Sequence, residues 1–395
     1  MASRNAGSAI HSTRTGRALT SPPASQRCVS REDQKLRRRR LIVLISTVLS
    51  LAVFAAGCAD TASDAGGGGG SGAELAAPDS PHLEAARAEG QVTWYTSHYS
   101  SETAEAIAGL FEEAYPGITV TLYRQTAQRI YQRFAQEQEA GQTVADLLGI
   151  TEVSLVADLA SKNQLARYVP TNAAEVDPAY AAYNDPDGYY HVANVGNNII
   201  SYNTDMLSEQ EAPHSWQDLL DPKWRGQIAT GNPGASGYVG TWATWAYLEF
   251  GPGYLEQLAA QDVLVGQSIT DTIPRVAAGE RAVGVSSDQT TAKAAAAGDP
   301  IGIIYPDDGA VVMPTPNAIP AAAPHPAAAK LLADFIISKP VQQFLVESEA
   351  LIPLTPGIEP PAHVRPDATY VRPELQELTD NLETVIGEWR RLFGV

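Results

Sequence analysis

Cysteine is nearly absent from this chain: its 395 residues include only Cys28 and Cys58. That count leaves no room for a disulfide framework or a thiolate metal site. Long apolar runs are as scarce. Leu41 to Gly57 is one, and no second run is long enough to span a membrane. Cations are few, 27 Lys and Arg against 45 Asp and Glu, a net charge of −18. Nucleic acid is therefore excluded as a partner, because phosphate backbones are held by clustered cations. The motifs of bond-making chemistry are also missing. The chain has no His-Glu-x-x-His and no Gly-x-Ser-x-Gly, and Gly234-Ala-Ser-Gly237 lacks the spacing of a nucleophile elbow.

What is present begins with Arg37 to Arg40, followed by the apolar run and then by Ala55-Ala56-Gly57-Cys58. A basic cap, an apolar stretch and small residues before a single thiol make an export signal that ends in a lipid-attachment site, with Cys58 as the lipidated residue. A permanent membrane anchor needs about 18 apolar residues. The run falls short of that and contains Ser46, Thr47 and Ser50. Residues 1–57 carry a net +8, so the mature chain would hold about −26. Such a charge favours solubility outside the cell.

Residues 58–80 include Gly66 to Gly70, Ser71 and Gly72, a composition that behaves as a flexible tether. About 20 such residues reach roughly 25 Å, which keeps a soluble body near a membrane surface. The body from Pro81 onward is long enough for two lobes. Its patterning alternates strand and helix. Gln91 to Thr96 reads as a strand, Glu102 to Ala114 as a helix and Ile118 to Tyr123 as a second strand, so the start is a βαβ unit. Further strands are expected at Asp146 to Ile150, Gln227 to Thr230, Leu264 to Gln267 and Ala282 to Ser286, with helices between them. Val192 to Asn203 is a long strand that can run from one lobe into the other.

Several stretches of the body resemble the extracellular solute-binding proteins of ABC importers, in the iron(III)-type branch. They include Val92-Thr-Trp-Tyr-Thr-Ser97, Ala145-Asp-Leu-Leu148, Ile199-Ile-Ser-Tyr-Asn203, Val276-Ala-Ala-Gly-Glu-Arg-Ala-Val283 and, most specific, Trp216 to Ile228. The resemblance implies an α/β, two-lobed type II periplasmic-binding-protein fold. Each lobe would be a mostly parallel sheet flanked by helices, the two joined by crossing strands, with solute held in the cleft between them. It divides the body into lobe 1 at residues 81–195 plus 310–395 and lobe 2 at 196–309.

Ferric members of that family hold iron through a His after the first strand, a Glu after the third and two adjacent Tyr in the second lobe. The positions here are His98 and Glu152, but Ser286-Ser287-Asp288-Gln289 stands where the paired Tyr belongs. The only tandem pair, Tyr189-Tyr190, lies elsewhere in the sequence. Gly231 to Gly237 separates a strand from a helix. Its Ala235, Ser236 and Gly237 can offer backbone N–H groups and a hydroxyl to an anion, or can simply start that helix. Ser268, Asp271 and Thr272 sit at the next strand-to-helix turn. Asp271 and Asp288 can pair with an amine on the cargo or can cap helices. Ser97, His98, Thr126 and Thr151 lie at carboxyl ends of first-lobe strands, where open α/β sheets meet ligands, and Asn197 lies on the long strand.

The expected protein is a monomeric, lipid-anchored capture subunit on the extracytoplasmic face of the cell membrane, not an enzyme, with no cofactor. Its cargo is a small polar solute, anionic or zwitterionic, or a ferric chelate, handed to the transmembrane permease subunits of an ABC importer. A tethered sensor or scaffold, or an enzyme on the same fold, are the alternatives.

Overall fold

The computed structural model describes residues 79–395, so the expected export signal, Cys58 and nearly all of the expected tether lie outside the described residues. No helix among the described residues is long and apolar enough to cross a membrane. The described residues form ten strands: β1 (Gln91–Thr96), β2 (Thr119–Arg124), β3 (Leu147–Gly149), β4 (Tyr190–Asn203), β5 (Ile228–Thr230), β6 (Leu264–Val265), β7 (Val283–Ser287), β8 (Ile301–Ile304), β9 (Ala310–Ala318) and β10 (Tyr370–Val371).

The chain opens as its patterning requires. β1 pairs in parallel with β2 and β3, and the helix Ser101–Ala114 makes the first crossover. Ser100 caps that helix by accepting the Thr103 N–H, while Ala104, Ile107, Ala108 and Phe111 line its buried face. In the second lobe β5 pairs in parallel with β6 and β7. The strand order β2-β1-β3-β9-β4-β7-β5-β6 makes one hydrogen-bonded path through both lobes.

That path is continuous because β4 and β9 belong to both sides. Antiparallel pairing of β4 with β9 runs from Tyr190–Ala318 to Asn198–Val311, and pairing of β4 with β7 runs from Asn198–Ser287 to Tyr202–Val283. All 14 residues of β4 are buried, and at about 3.3 Å per residue the strand is long enough to reach through both lobes. β9, which contains two prolines, lies outside the strands expected from the sequence. Pro314 and Pro316 share strand parity, so their missing N–H groups fall on one side of the strand and leave the other ladder whole.

Separate cores support the two lobes. Trp94, Phe111 and Phe335 lie in one on the first sheet, with Tyr95 and Phe134 on its other face; Trp216, Trp242 and Trp389 lie in the second lobe. The chain after residue 310 contributes to both cores. Phe335 and Leu345 join the first core. The amphipathic C-terminal helix Leu375–Phe393 instead buries Val385 and Trp389 in the second, with the Trp389 ring edge-on to Trp242 at 6.4 Å. Its apolar stripe has to be covered, and the Trp-rich face of the helix Gly237–Phe250 covers it.

Candidate functional site

A cavity of about 640 Å³ opens between the lobes where the carboxyl ends of β1, β2 and β3 face the turns after β5, β6 and β7. Open α/β sheets present ligands at this edge, because chain reversals there leave backbone groups and helix starts free. Nine of the expected residues line it: Ser97, His98, Thr126 and Thr151 from the first lobe, and Ala235, Ser236, Gly237, Ser268 and Asp271 from the second.

Local hydrogen bonding fixes the first-lobe wall. The Ser97 hydroxyl accepts the Thr151 N–H at 2.9 Å, and the Ser97 N–H reaches the Gly149 carbonyl at 2.8 Å, which ties the loop after β1 to the loop after β3. Burial lowers the His98 imidazole to about 3, so the ring is neutral, and both of its nitrogens are sealed from solvent. A side chain on Gly149 would run into Thr96, Asn317 and His98 together, so glycine lets these three polar groups converge.

Two helices aim their first turns at the cavity. Thr126 precedes the helix Ala127–Glu139 and Ser236 precedes Gly237–Phe250, and neither side chain caps its own helix. The Ser236 hydroxyl instead accepts the Ile269 N–H at 3.3 Å. Free N–H groups and the aligned peptide dipoles make such helix starts receptive to negative charge.

The lobes touch beside these helix starts. A Cβ at Gly237 would lie 2.8 Å from the Thr151 carbonyl carbon, and one at Gly240 would lie 2.7 Å from Glu152 Oε2. Only the absence of side chains on the second lobe admits this approach. At the rim Lys293 of the helix Asp288–Ala296 pairs with Glu349 of Lys339–Glu349, one residue from each lobe.

Four expected residues do not face the cavity. Asn197 points to the opposite side of β4, because alternate residues of a strand face alternate ways, and a side chain at Gly196 would meet Tyr238 and Gln289 of the cavity instead. Asp288 is fully buried and turned back onto Asn197, accepting its N–H at 3.0 Å and its Nδ2 at 2.6 Å. Thr272 is sealed against Gly284. Glu152 is covered by the Gly240 turn, its Oε1 held by Ser154 at 2.9 Å and its Oε2 without a partner, and desolvation raises it to about 7. Asp271 lines the cavity, but its Oδ2 accepts the Gln267 and Ser268 N–H groups as a cap.

The sequence reading missed Arg124, Tyr99, Tyr238 and Gln289, all of which line the cavity. Arg124 ends β2, so the rule that found Ser97 and Thr151 could have found it. Its Nε donates to the Tyr99 carbonyl at 2.8 Å, the guanidinium remains accessible, and no carboxylate pairs with it among the described residues. The surrounding walls lower its pKa by desolvation, the mark of a cation held where an anion would be welcome. Tyr99 and Tyr238 face the cavity from opposite lobes, and burial holds both as neutral phenols, Tyr99 pushed up to about 12 and Tyr238 higher. Tyr190 lies in a core and Tyr189 lies against Arg167, so the tandem pair takes no part. Among the described residues no three His, Cys, Asp or Glu gather closely enough to hold a metal ion.

Solved structures with the same fold include the periplasmic binding protein AfuA of Actinobacillus pleuropneumoniae with fructose-6-phosphate bound, at 19% identity and a TM-score of 0.70, covering 77% of this chain and 99% of that one. Iron-bound HitA of Pseudomonas aeruginosa matches at 20% identity and a TM-score of 0.67, covering 76% and 99%. The ferric binding protein of Campylobacter jejuni matches at 18% and 0.66, covering 76% and 99%. A search of curated protein sequences gave no match. The family model for bacterial extracellular solute-binding proteins matches residues 142–373, well over half of the chain and most of the cavity wall. The chain belongs to that family of bacterial extracellular solute-binding proteins, which bind solutes and are not enzymes.

Proposed function

We propose that this solute-binding protein captures an anionic, hydroxyl-bearing solute, best represented by a sugar phosphate, and that it works as the lipid-anchored subunit of an ABC importer and delivers the solute to the permease. Cys58 and the glycine tether support the anchor. The observation that carries the cargo class is Arg124, an accessible guanidinium without a carboxylate partner among the described residues, at a cavity that two helix starts also face. A phosphate takes charge-assisted hydrogen bonds from such a guanidinium and from helix N–H groups. The remaining lining, Ser97, Thr151, Ser268, Gln289 and Thr290, offers hydroxyls and an amide to a polyol. AfuA, whose fold is shared, has fructose-6-phosphate bound. Bare ferric ion is the weaker reading, because the acids that line the cavity among the described residues, Asp271 and Glu349, are already engaged with backbone N–H groups and with Lys293.

Calorimetry with fructose 6-phosphate, fructose and ferric citrate tests this. The phosphate ester should bind, fructose should bind at least about tenfold more weakly, and Arg124→Gln should weaken the ester by about tenfold or more. Equal binding of fructose and its phosphate, or tight ferric binding that Arg124→Gln leaves unchanged, would overturn the reading.

A further inference from the structure

A second cavity, of about 320 Å³, lies against β4 and β9 through Val195, Asn197 and Val312. Gly196 faces Tyr238 and Gln289 of the interlobe cavity, so strand alternation places Val195 and Asn197 on the other side of the crossing strands. The outer wall of this rear cavity is the segment between the helices Lys339–Glu349 and Leu375–Phe393, irregular except for β10, with Ile352, Ile358, Val364 and four prolines lining the cavity.

We infer that this rear cavity is a second ligand site, taking a small carboxylate with an apolar body of about ten non-hydrogen atoms, a size such a volume accommodates. Three observations point there. The apolar lining sets the body. Thr355 lines the cavity, is only 7% exposed, and its hydroxyl is buried without a hydrogen-bond partner, a cost that an acceptor on the ligand would remove. Arg372 also lines the cavity, is exposed, and has no carboxylate within ion-pair distance among the described residues. The acids nearby do not favour a cation. Asp177 spends an oxygen on the Ala179 N–H at 2.8 Å, and Asp288 is sealed and bound to Asn197 and Gln289.

The position gives the site a consequence for the main cleft. Asn197 lines the rear cavity and holds Asp288, the first residue of the helix whose Gln289, Thr290 and Lys293 line the interlobe cavity. An occupant packed against Asn197 stiffens the strand about which the lobes would turn, and so alters solute affinity in proportion to its preference for one lobe arrangement.

Phenylacetate serves as the probe and 2-phenylethylamine as its cationic counterpart, both titrated into the purified protein by calorimetry and followed by ligand-observed NMR. Phenylacetate should bind with a Kd on the order of 1 mM, as a ten-atom ligand allows, and the amine about tenfold more weakly. Arg372→Gln and Thr355→Val should each weaken phenylacetate by about fivefold, whereas Arg124→Gln should leave it unchanged. Equal binding of the amine, no binding of phenylacetate, no effect of Arg372→Gln, or loss on Arg124→Gln, which would put the probe in the interlobe cavity, each overturns the assignment. The sugar-phosphate titration is read separately, so either site can fail without the other.

Discussion

Asn197 Nδ2 donates to Asp288 Oδ2 at 2.6 Å, and the Asn197 backbone N–H donates to Oδ1 at 3.0 Å, so one crossing strand is tied to the first turn of a second-lobe helix. Both residues are almost fully buried, and a carboxylate that loses its donors there keeps its desolvation cost. Asn197→Ala should therefore destabilise the protein by about 1–3 kcal/mol, and Asn197→Asp by more, since it sets two carboxyls together. Urea unfolding of the purified protein checks the order, and a neutral Asn197→Ala would show that the pair does not hold the strand.

The close approach at Gly237 gives a test of lobe contact. A methyl group there would meet the Thr151 backbone at 2.8 Å, while the backbone conformation itself suits alanine. Gly237→Ala should cost binding about 1–3 kcal/mol, tenfold or more in Kd, with little loss in the unfolding midpoint. Small-angle scattering with saturating solute should show a more open particle than wild type.

Glu152 predicts a pH dependence. Burial under the Gly240 turn raises it to about 7, and Ser154 lowers it only in part. Its pKa in the folded state lies above the ordinary carboxyl value, so the folded protein binds the extra proton. The stability linked to this group is fully present below the unfolded pKa and is lost as pH rises through about 7. If lobe opening hydrates the carboxyl, closing takes up a proton, and solute affinity should fall from pH 5.5 to 8 by up to about tenfold per unit. Glu152→Gln should flatten that profile, and an unchanged slope in the variant would place the titrating group elsewhere.

Lys293 and Glu349 join the lobes at the rim with side-chain exposures of 42% and 17%. Screening discounts a pair this open, and Lys293→Ala should weaken solute binding by no more than about fivefold. Raising salt to about 1 M should remove most of the wild-type advantage, which titrations at two ionic strengths would reveal.

Strong patterns carried the fold. β1 and the helix after it were legible because alternation and helical periodicity agree there with a capping Ser100. β9 was not, since two prolines argue against an interior strand and only tertiary pairing shows that their missing donors fall on one side. The packing partner of the C-terminal helix was not legible, because its apolar stripe says that it packs but not against which core. At the site, loop position found the hydroxyls, whereas facing direction decided Asn197, Asp288 and Glu152, and short sequence context does not encode it. Arg124 was the legible residue left unread.

The placement of Trp389 in the second core bears on the order in which the molecule can assemble. The Trp216–Trp242 layer takes its last cover from a helix at the far end of the described residues, so this core cannot be completed from contiguous chain. One tryptophan near the carboxyl end therefore makes closure of the second core wait for the final helix, whatever the order in which the rest of the chain folds.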